Sequence, residues 1–163
     1  MSKSLIFMTV FITAGVILIV ASLLDPSSIP TVLNVFNNQK KYTITVGDAP
    51  ISVELANTSA KRMKGLSGRE LLPPNEGLLF VFEKPENHSF WMRDMQFPID
   101  IIWINEKFFV VDVTENISPA SFPEVFEPVE AIKFVLEVNA GWVARNSIKR
   151  GAIVKDLRSF QVL

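Results

Sequence analysis

Cysteine is absent from this chain of 163 residues, and histidine occurs only once, as His88. The lack of cysteine excludes disulfides, thiolate metal sites and cysteine nucleophiles. A single imidazole weighs against a multi-histidine metal centre, and the position of His88 between Asn87 and Ser89 favours a surface loop. We therefore expect no catalytic residues, no metal and no cofactor.

A strong charge of either sign is also missing. The chain has 16 basic and 17 acidic residues, which leave a net charge of −1. This balance offers no electrostatic footprint for nucleic acid, so we expect no nucleic-acid partner. One local basic cluster is typical of a solvated helix face, and it comprises Lys61, Arg62, Lys64 and Arg69.

A long uncharged run, Leu5–Leu24, is present near the N-terminus. A helix of this length spans about 30 Å, the thickness of the hydrocarbon core of a bilayer. We predict a single-pass anchor over residues 5–24 that contacts the lipid bilayer. The alternative is a signal peptide that is cleaved near Val20–Ser22.

The flanking charges predict the orientation of this anchor. Lys3 precedes the run and Asp25 follows it, so the positive-inside rule places residues 1–4 in the cytoplasm. Prolines, serines and asparagines over residues 25–39 indicate a stalk. We therefore predict a cell-membrane protein whose domain over residues 40–163 lies outside.

This domain has mostly strand periodicity, with a turn at Gly47–Pro50. Apolar residues on both faces of Leu78–Phe82 indicate a central, doubly covered strand. Helix signatures occur at Asn57–Gly65 and Ala140–Ile148. About eight short strands with two short helices predict a mainly β fold, a compact β-barrel or β-sandwich. The strands are predicted at Tyr42–Val46, Ile51–Leu55, Leu78–Phe82, Ser89–Met92, Ile99–Ile104, Phe108–Thr114, Ile132–Val138 and Ala152–Leu157.

Several conspicuous segments follow one another along the domain. They are Lys64–Arg69, Glu76–Phe82, Phe90–Asp94, Phe97–Ile104, Phe134–Gly141 and Gly151. Their order and spacing resemble the domain of unknown function 192 family over nearly all of residues 41–158. The resemblance implies a compact β-rich fold in an exported or membrane-anchored protein, and no established activity.

The chain departs from the family pattern at three places. It has Leu66-Ser67 where Leu-Met is common, Leu78 where Met is common, and Asp94-Met95 where Asn-Thr is common. At Asp94 a carboxylate that only accepts hydrogen bonds replaces an amide that both donates and accepts. Any family role that depends on this amide is therefore in doubt here.

The run Phe90–Trp103 breaks the strand pattern, because three charges interrupt its apolar residues. Such breaks concentrate at functional or strained sites. We predict that a ligand-binding groove is built around this run. Its candidate residues are Arg69, Trp91, Arg93, Asp94, Asp100 and Glu137.

Each candidate also has a structural explanation. Asp100 can accept backbone N–H bonds that hold the corner at Pro98, and Arg93 can pair with a neighbouring carboxylate. Asn139, on the same strand face as Glu137, can cap the second helix. Trp91 can belong to the core.

Three functional hypotheses follow. The first is a non-catalytic module that binds a ligand or a partner. The second is an accessory subunit of a larger integral membrane complex, packed through small and hydroxyl residues such as Thr9, Thr13 and Gly15. The third, which has the least support, is a hydrolase that uses Asp94 and Asp100.

We expect the full chain to stay in the membrane fraction after an alkaline carbonate wash, because the run Leu5–Leu24 is long enough to span the bilayer. A chain that begins at residue 40 should be released by the same wash. A shortened mature protein that starts just after Val20–Ser22 and washes off would instead establish the signal peptide.

Overall fold

The computed structural model describes residues 11–13, 16–18 and 40–160. Phe11–Thr13 (β1) and Val16–Leu18 (β2) pair as antiparallel strands. The predicted anchor over residues 5–24 and the stalk over 25–39 otherwise lie outside the described residues. Among the described residues, no helix has the length and apolar character needed to span a bilayer.

The domain that begins at Lys40 is a unit of its own, built on one seven-stranded sheet. The sheet order is β11-β3-β4-β5-β10-β7-β8, and every neighbouring pair is antiparallel except β4 and β5. The strands β6 and β9 form a separate two-stranded sheet. The bounds are β3 Tyr42–Val46, β4 Ala49–Ala56, β5 Glu76–Glu86, β6 Phe90–Trp91, β7 Ile99–Ile104, β8 Val110–Ile117, β9 Val125–Phe126, β10 Ile132–Asn139 and β11 Val154–Lys155.

The large sheet curls until its two edges touch at one end. The Val110 N–H donates to the carbonyl of Ala152 over 2.9 Å, and the Gly151 N–H donates to the carbonyl of Val110 over 2.8 Å. The Val154 N–H donates to the carbonyl of Phe108 over 2.8 Å. The result is a half-barrel whose edges are joined along a short seam.

The central strands are covered on both faces. Every residue of β7 is buried, as are Gly77–Val81 in β5 and Phe134–Val138 in β10. Ile102 belongs to an inner cluster that fills the half-barrel, whereas Ile101 belongs to an outer cluster on the opposite face. The expectation of a doubly covered strand at Leu78–Phe82 is confirmed.

Two short helices accompany the sheet, α1 at Ser59–Lys64 and α2 at Trp142–Arg145. The Thr58 side chain accepts a hydrogen bond from Lys61 N and caps α1. The expected cap of α2 by Asn139 is wrong. The Asn139 amide instead donates to the carbonyls of Leu72 and Pro73, which anchors the loop before β5.

The carboxylate that bonds the start of α2 comes from Asp100, the second residue of β7. Asp100 is 0% exposed, and its Oδ2 accepts a hydrogen bond from Val143 N over 3.0 Å. Its Oδ1 accepts from Asn116 N over 2.8 Å. The pairing of β7 with β8 is irregular there, and Asn116 has a φ of 54°. Asp100 therefore satisfies the free N–H of a bulge as well as one at the start of a helix.

We expect Asp100→Asn to lower the free energy of unfolding by about 2–3 kcal/mol, because the amide can accept from only one of the two buried N–H groups. Asp94→Asn is the matched control, since Asp94 is exposed. Its effect should stay within about 0.5 kcal/mol. Urea unfolding of both variants measures the difference, and equal stability would contradict the structural role of Asp100.

Candidate functional site

A pocket of about 290 Å³ opens on the outer face of the sheet, beside Trp91. It lies between α1 on one side and the segment from His88 to Trp91 on the other, above β5 and β10. Its walls combine aromatic rings with methionines, serines and basic side chains. The lining includes Arg62, Lys64, Phe80, Phe82, His88, Phe90, Trp91 and Glu137.

The end of α1 brings the main chain close to the base of this pocket. Gly65 has φ 51° and ψ −135°, a conformation that glycine adopts readily and other residues avoid. A Cβ on Gly65 would lie 3.5 Å from the ring of Phe80 and 4.0 Å from Glu137 Oε2. The turn at Gly65 therefore seats α1 directly over Phe80 and Glu137.

The loop after α1 is tied to the turn after β6. The Ser67 hydroxyl donates to the carbonyl of Arg93 over 2.8 Å, and the Gly68 N–H donates to the carbonyl of Asp94 over 2.9 Å. Asp94 itself has a φ of 59°, in the left-handed region that Asn, Asp and Gly favour. The main chain of Arg93 and Asp94 thus fixes one side of the pocket, while their side chains point to solvent.

Glu137 is the ionisable group at the base of the pocket. It is 6% exposed, and its Oε2 is buried without a hydrogen-bond partner among the described residues. Burial raises the pKa of Glu137 to about 8, and the nearby Arg69 opposes this shift more weakly. At neutral pH the carboxyl group is therefore mostly protonated, and it carries an O–H that can donate.

Arg69 forms an ion pair with a different acid, Glu54. Its guanidinium makes two hydrogen bonds to the Glu54 carboxylate, of 3.1 and 2.6 Å. This bidentate contact lowers the pKa of Glu54 and raises that of Arg69. Because Arg69 is engaged in this way, Glu137 stays without an ion-pair partner.

His88 lies in the loop before β6, but its ring is only half exposed. It stacks on Phe82 with ring centres 3.5 Å apart, and its Nε2 is buried without a partner in the described domain. Burial lowers the pKa of His88, with the charge of Arg62 acting in the same direction. The prediction that His88 lies in a loop is confirmed, but the sequence did not predict that its side chain lines the pocket.

The remaining walls are held by contacts between rings. Phe90 packs edge-on against Phe80 and against Trp103, with ring centres 4.9 and 5.4 Å apart. The Arg62 guanidinium lies over the ring of Phe82 and donates to the carbonyl of Val81 over 2.9 Å. These contacts hold the aromatic part of the pocket wall in place.

The structure brings only part of the predicted set together. Trp91 and Glu137 line the pocket, and Arg93 lies over the outer ring face of Trp91, 5.5 Å from its centre. Asp94 is exposed, with its Oδ2 3.9 Å from Arg93 Nε. Asp100 is bonded to α2, which packs in the inner cluster, so it lies on the other face of the sheet from Glu137.

Sequence reasoning missed the contribution of His88, Phe80, Phe82 and Phe90. A lone histidine carries no spacing signal, and aromatic residues at strand positions look like core. The sequence did contain the signal for Glu137, an acid within the apolar run of a central strand. Within residues 40–160, no group of three or more acidic or histidine side chains is placed to bind a metal ion.

The half-barrel sheet, the two short helices and the aromatic pocket define a small mainly β domain with a preformed cleft. The family model of DUF192, described as uncharacterized ACR, matches residues 42–155. The chain therefore belongs to the DUF192 family.

Two solved structures resemble the domain. One, from Sinorhizobium meliloti 1021, was provisionally described as a transcription regulator. It is 28% identical in sequence, with a TM-score of 0.68, and the match covers 72% of this chain and 94% of that chain. The other is a protein of unknown function from Novosphingobium aromaticivorans DSM 12444, 33% identical, with a TM-score of 0.66 and coverage of 71% and 84%. No curated protein matches the chain significantly.

We expect Glu137 to make stability fall as the pH rises. Its pKa is about 8 in the folded protein against 4.5 when unperturbed, so the folded state retains a proton that the unfolded state releases between these values. The free energy of unfolding should drop by about 1.4 kcal/mol per pH unit in that window, relative to Glu137→Gln.

Urea unfolding of both proteins at several pH values between about 5 and 8 measures this difference. Arg69 and Glu54 are present in both, so their titration cancels. Parallel curves for the two proteins would show that Glu137 has an ordinary pKa.

Proposed function

We propose that this domain is a non-catalytic binding module, and that its pocket receives an apolar group from a small molecule or a partner. The observation that carries the proposal is Glu137, which lines the pocket beside Trp91 and whose buried Oε2 has no hydrogen-bond partner among the described residues. In native proteins nearly all buried polar atoms have a hydrogen-bond partner. A group that stays unpaired at the base of a pocket is suited to bond an incoming ligand.

The contrast with Asp100 supports this interpretation. Asp100 is equally buried, but both of its oxygens accept backbone N–H groups that the fold needs satisfied. Glu137 makes no comparable bond, and its burial as a carboxylate costs free energy. An apolar residue at position 137 would serve the fold better, so the acid is better explained by binding.

The same geometry argues against the hydrolase hypothesis. Two carboxylates that share one substrate must face the same cleft. Asp94 is exposed on the turn after β6, whereas Asp100 is buried on the opposite side of the sheet from the pocket. No described arrangement lets the two acids act on one bond.

The cellular setting of this module is part of the proposal. The uncharged run Leu5–Leu24 supports a single-pass anchor that holds the domain outside the cell membrane. Small and hydroxyl residues in this run favour the second candidate, an accessory subunit of a membrane complex. The net charge of −1 offers no electrostatic footprint for nucleic acid, which argues against a regulator role of the kind described for the Sinorhizobium protein.

A fragment of residues 40–163 is suited to the binding test. The structural match covers 94% of the solved Sinorhizobium chain, so a chain of this size and fold is stable without a further domain. N-phenyl-1-naphthylamine is a neutral probe whose fluorescence rises in apolar surroundings. We expect the fragment to bind it saturably, because the pocket offers aromatic walls.

Trp91→Ala should weaken this binding about tenfold, since it removes one aromatic wall. Phe122→Ala is the matched control, because Phe122 is also exposed but lies outside the pocket. Equal affinity for both variants, or a failure of the fragment to bind the probe, would refute the proposal.

A further inference from the structure

We infer that the pocket selects an uncharged ligand whose polar end both accepts and donates a hydrogen bond, as a primary carboxamide does. In this arrangement the Glu137 carboxyl donates to the ligand carbonyl, and His88 Nε2 accepts from the ligand N–H. The inference rests on the proposed binding function and adds the chemical class of the ligand. It depends on two residues that line one pocket, Glu137 and His88, each of which has a buried polar atom without a hydrogen-bond partner among the described residues.

The donor is the carboxyl group of Glu137. Its surroundings are apolar, since the neighbouring residues in register on β5 and β7 are Leu78 and Ile101. The nearest strong cation, Arg69, is committed to Glu54 by two hydrogen bonds. Glu137 therefore retains its proton at neutral pH, and the protonated carboxyl presents an O–H with no acceptor in the protein.

The acceptor is Nε2 of His88, a buried atom that has no hydrogen-bond partner among the described residues. We assign the ring proton to Nδ1, which leaves the lone pair of Nε2 for the ligand. Burial keeps the ring neutral, and a neutral imidazole that donates through one nitrogen must accept through the other.

Charged ligands fit this pair less well. Arg62 and Lys64 line the pocket and Arg69 lies close to Glu137, so a cationic group would meet repulsion on entry. An anionic group would face the lone pair of His88 Nε2. Arg62 cannot neutralise it fully, because its guanidinium already donates to Val81 and lies over Phe82.

The rest of the ligand is apolar and compact. Phe80, Phe90 and Trp91 present ring surface, and a volume of about 290 Å³ is at the lower end of the range for small-molecule sites. One or two fused rings fill such a space. The predicted ligand class is thus a small aromatic or branched apolar body that carries a carboxamide-like group.

A head-group series tests the inference on one ring system. The ligands are 2-naphthamide, 2-naphthoate, 2-naphthylmethylamine and 2-methylnaphthalene, each used to displace N-phenyl-1-naphthylamine from the fragment 40–163 at neutral pH. We expect the amide to bind about tenfold more tightly than each of the other three. Tightest binding by the anion would show that the basic rim governs selection, and tightest binding by the amine would show that Glu137 ionises. Either result overturns the inference.

Variants of the two polar residues complete the test. Glu137→Leu removes the donor, and His88→Phe removes the acceptor while it keeps a ring against Phe82. Each should reduce the preference for 2-naphthamide over 2-methylnaphthalene about tenfold. Glu137→Gln should largely preserve the preference, because its amide N–H still donates.

The two proposals fail in different ways. If the probe binds and Trp91→Ala weakens it, but the four ligands compete equally, then the binding function stands and the ligand class is wrong. If the probe does not bind at all, the proposed function itself fails. An amide preference that survives unchanged in Glu137→Leu and in His88→Phe also overturns the assignment of the two polar residues.

Discussion

The burial of three central strands on both faces is the constraint on which the domain depends. The side chains of β7, of Leu78–Val81 in β5 and of Phe134–Val138 in β10 point alternately to the inner and the outer face, and all of them are buried. Strands of this kind tolerate apolar residues and little else. Gly77 shows how closely they pack, because a Cβ there would lie 2.9 Å from the carbonyl oxygen of Glu137. A polar side chain in these strands therefore requires an explanation.

Two acids break the apolar pattern, and their surroundings separate architecture from binding. Asp100 faces the inner side, where it joins β8 and α2 through backbone N–H groups. Glu137 faces the outer side, where it meets a pocket and no partner for its Oε2. The sequence alone shows two acids in two apolar strands. Only the structure shows that one acid bonds backbone N–H groups, whereas the Oε2 of the other has no partner among the described residues.

The elements that depend on local pattern could be predicted, whereas contacts between distant segments could not. The strand Ile99–Ile104 was predicted with its observed bounds, and the predicted helix signature Asn57–Gly65 encloses α1. Two contacts join segments that are distant in the sequence. One is the ion pair of Arg69 with Glu54, and the other is the hydrogen bond from the Asn139 amide to the loop before β5. The role of His88 depends on a ring stack that no spacing rule describes. The mainly β fold and the DUF192 membership were correct for the domain, and the membrane anchor stays a prediction.

The seam between Phe108–Val110 and Gly151–Val154 also bears on solubility. An open sheet exposes two rows of unpaired backbone groups that can recruit strands from other molecules. Here the backbone groups of the two edges hydrogen-bond to each other at one end, and the edge strand β11 is only two residues long. The open part of β8 carries Asp112 and Glu115, charges of the kind that discourage edge-to-edge pairing. The curl of the sheet thus protects the domain against aggregation, and it leaves association with other molecules to side-chain surfaces.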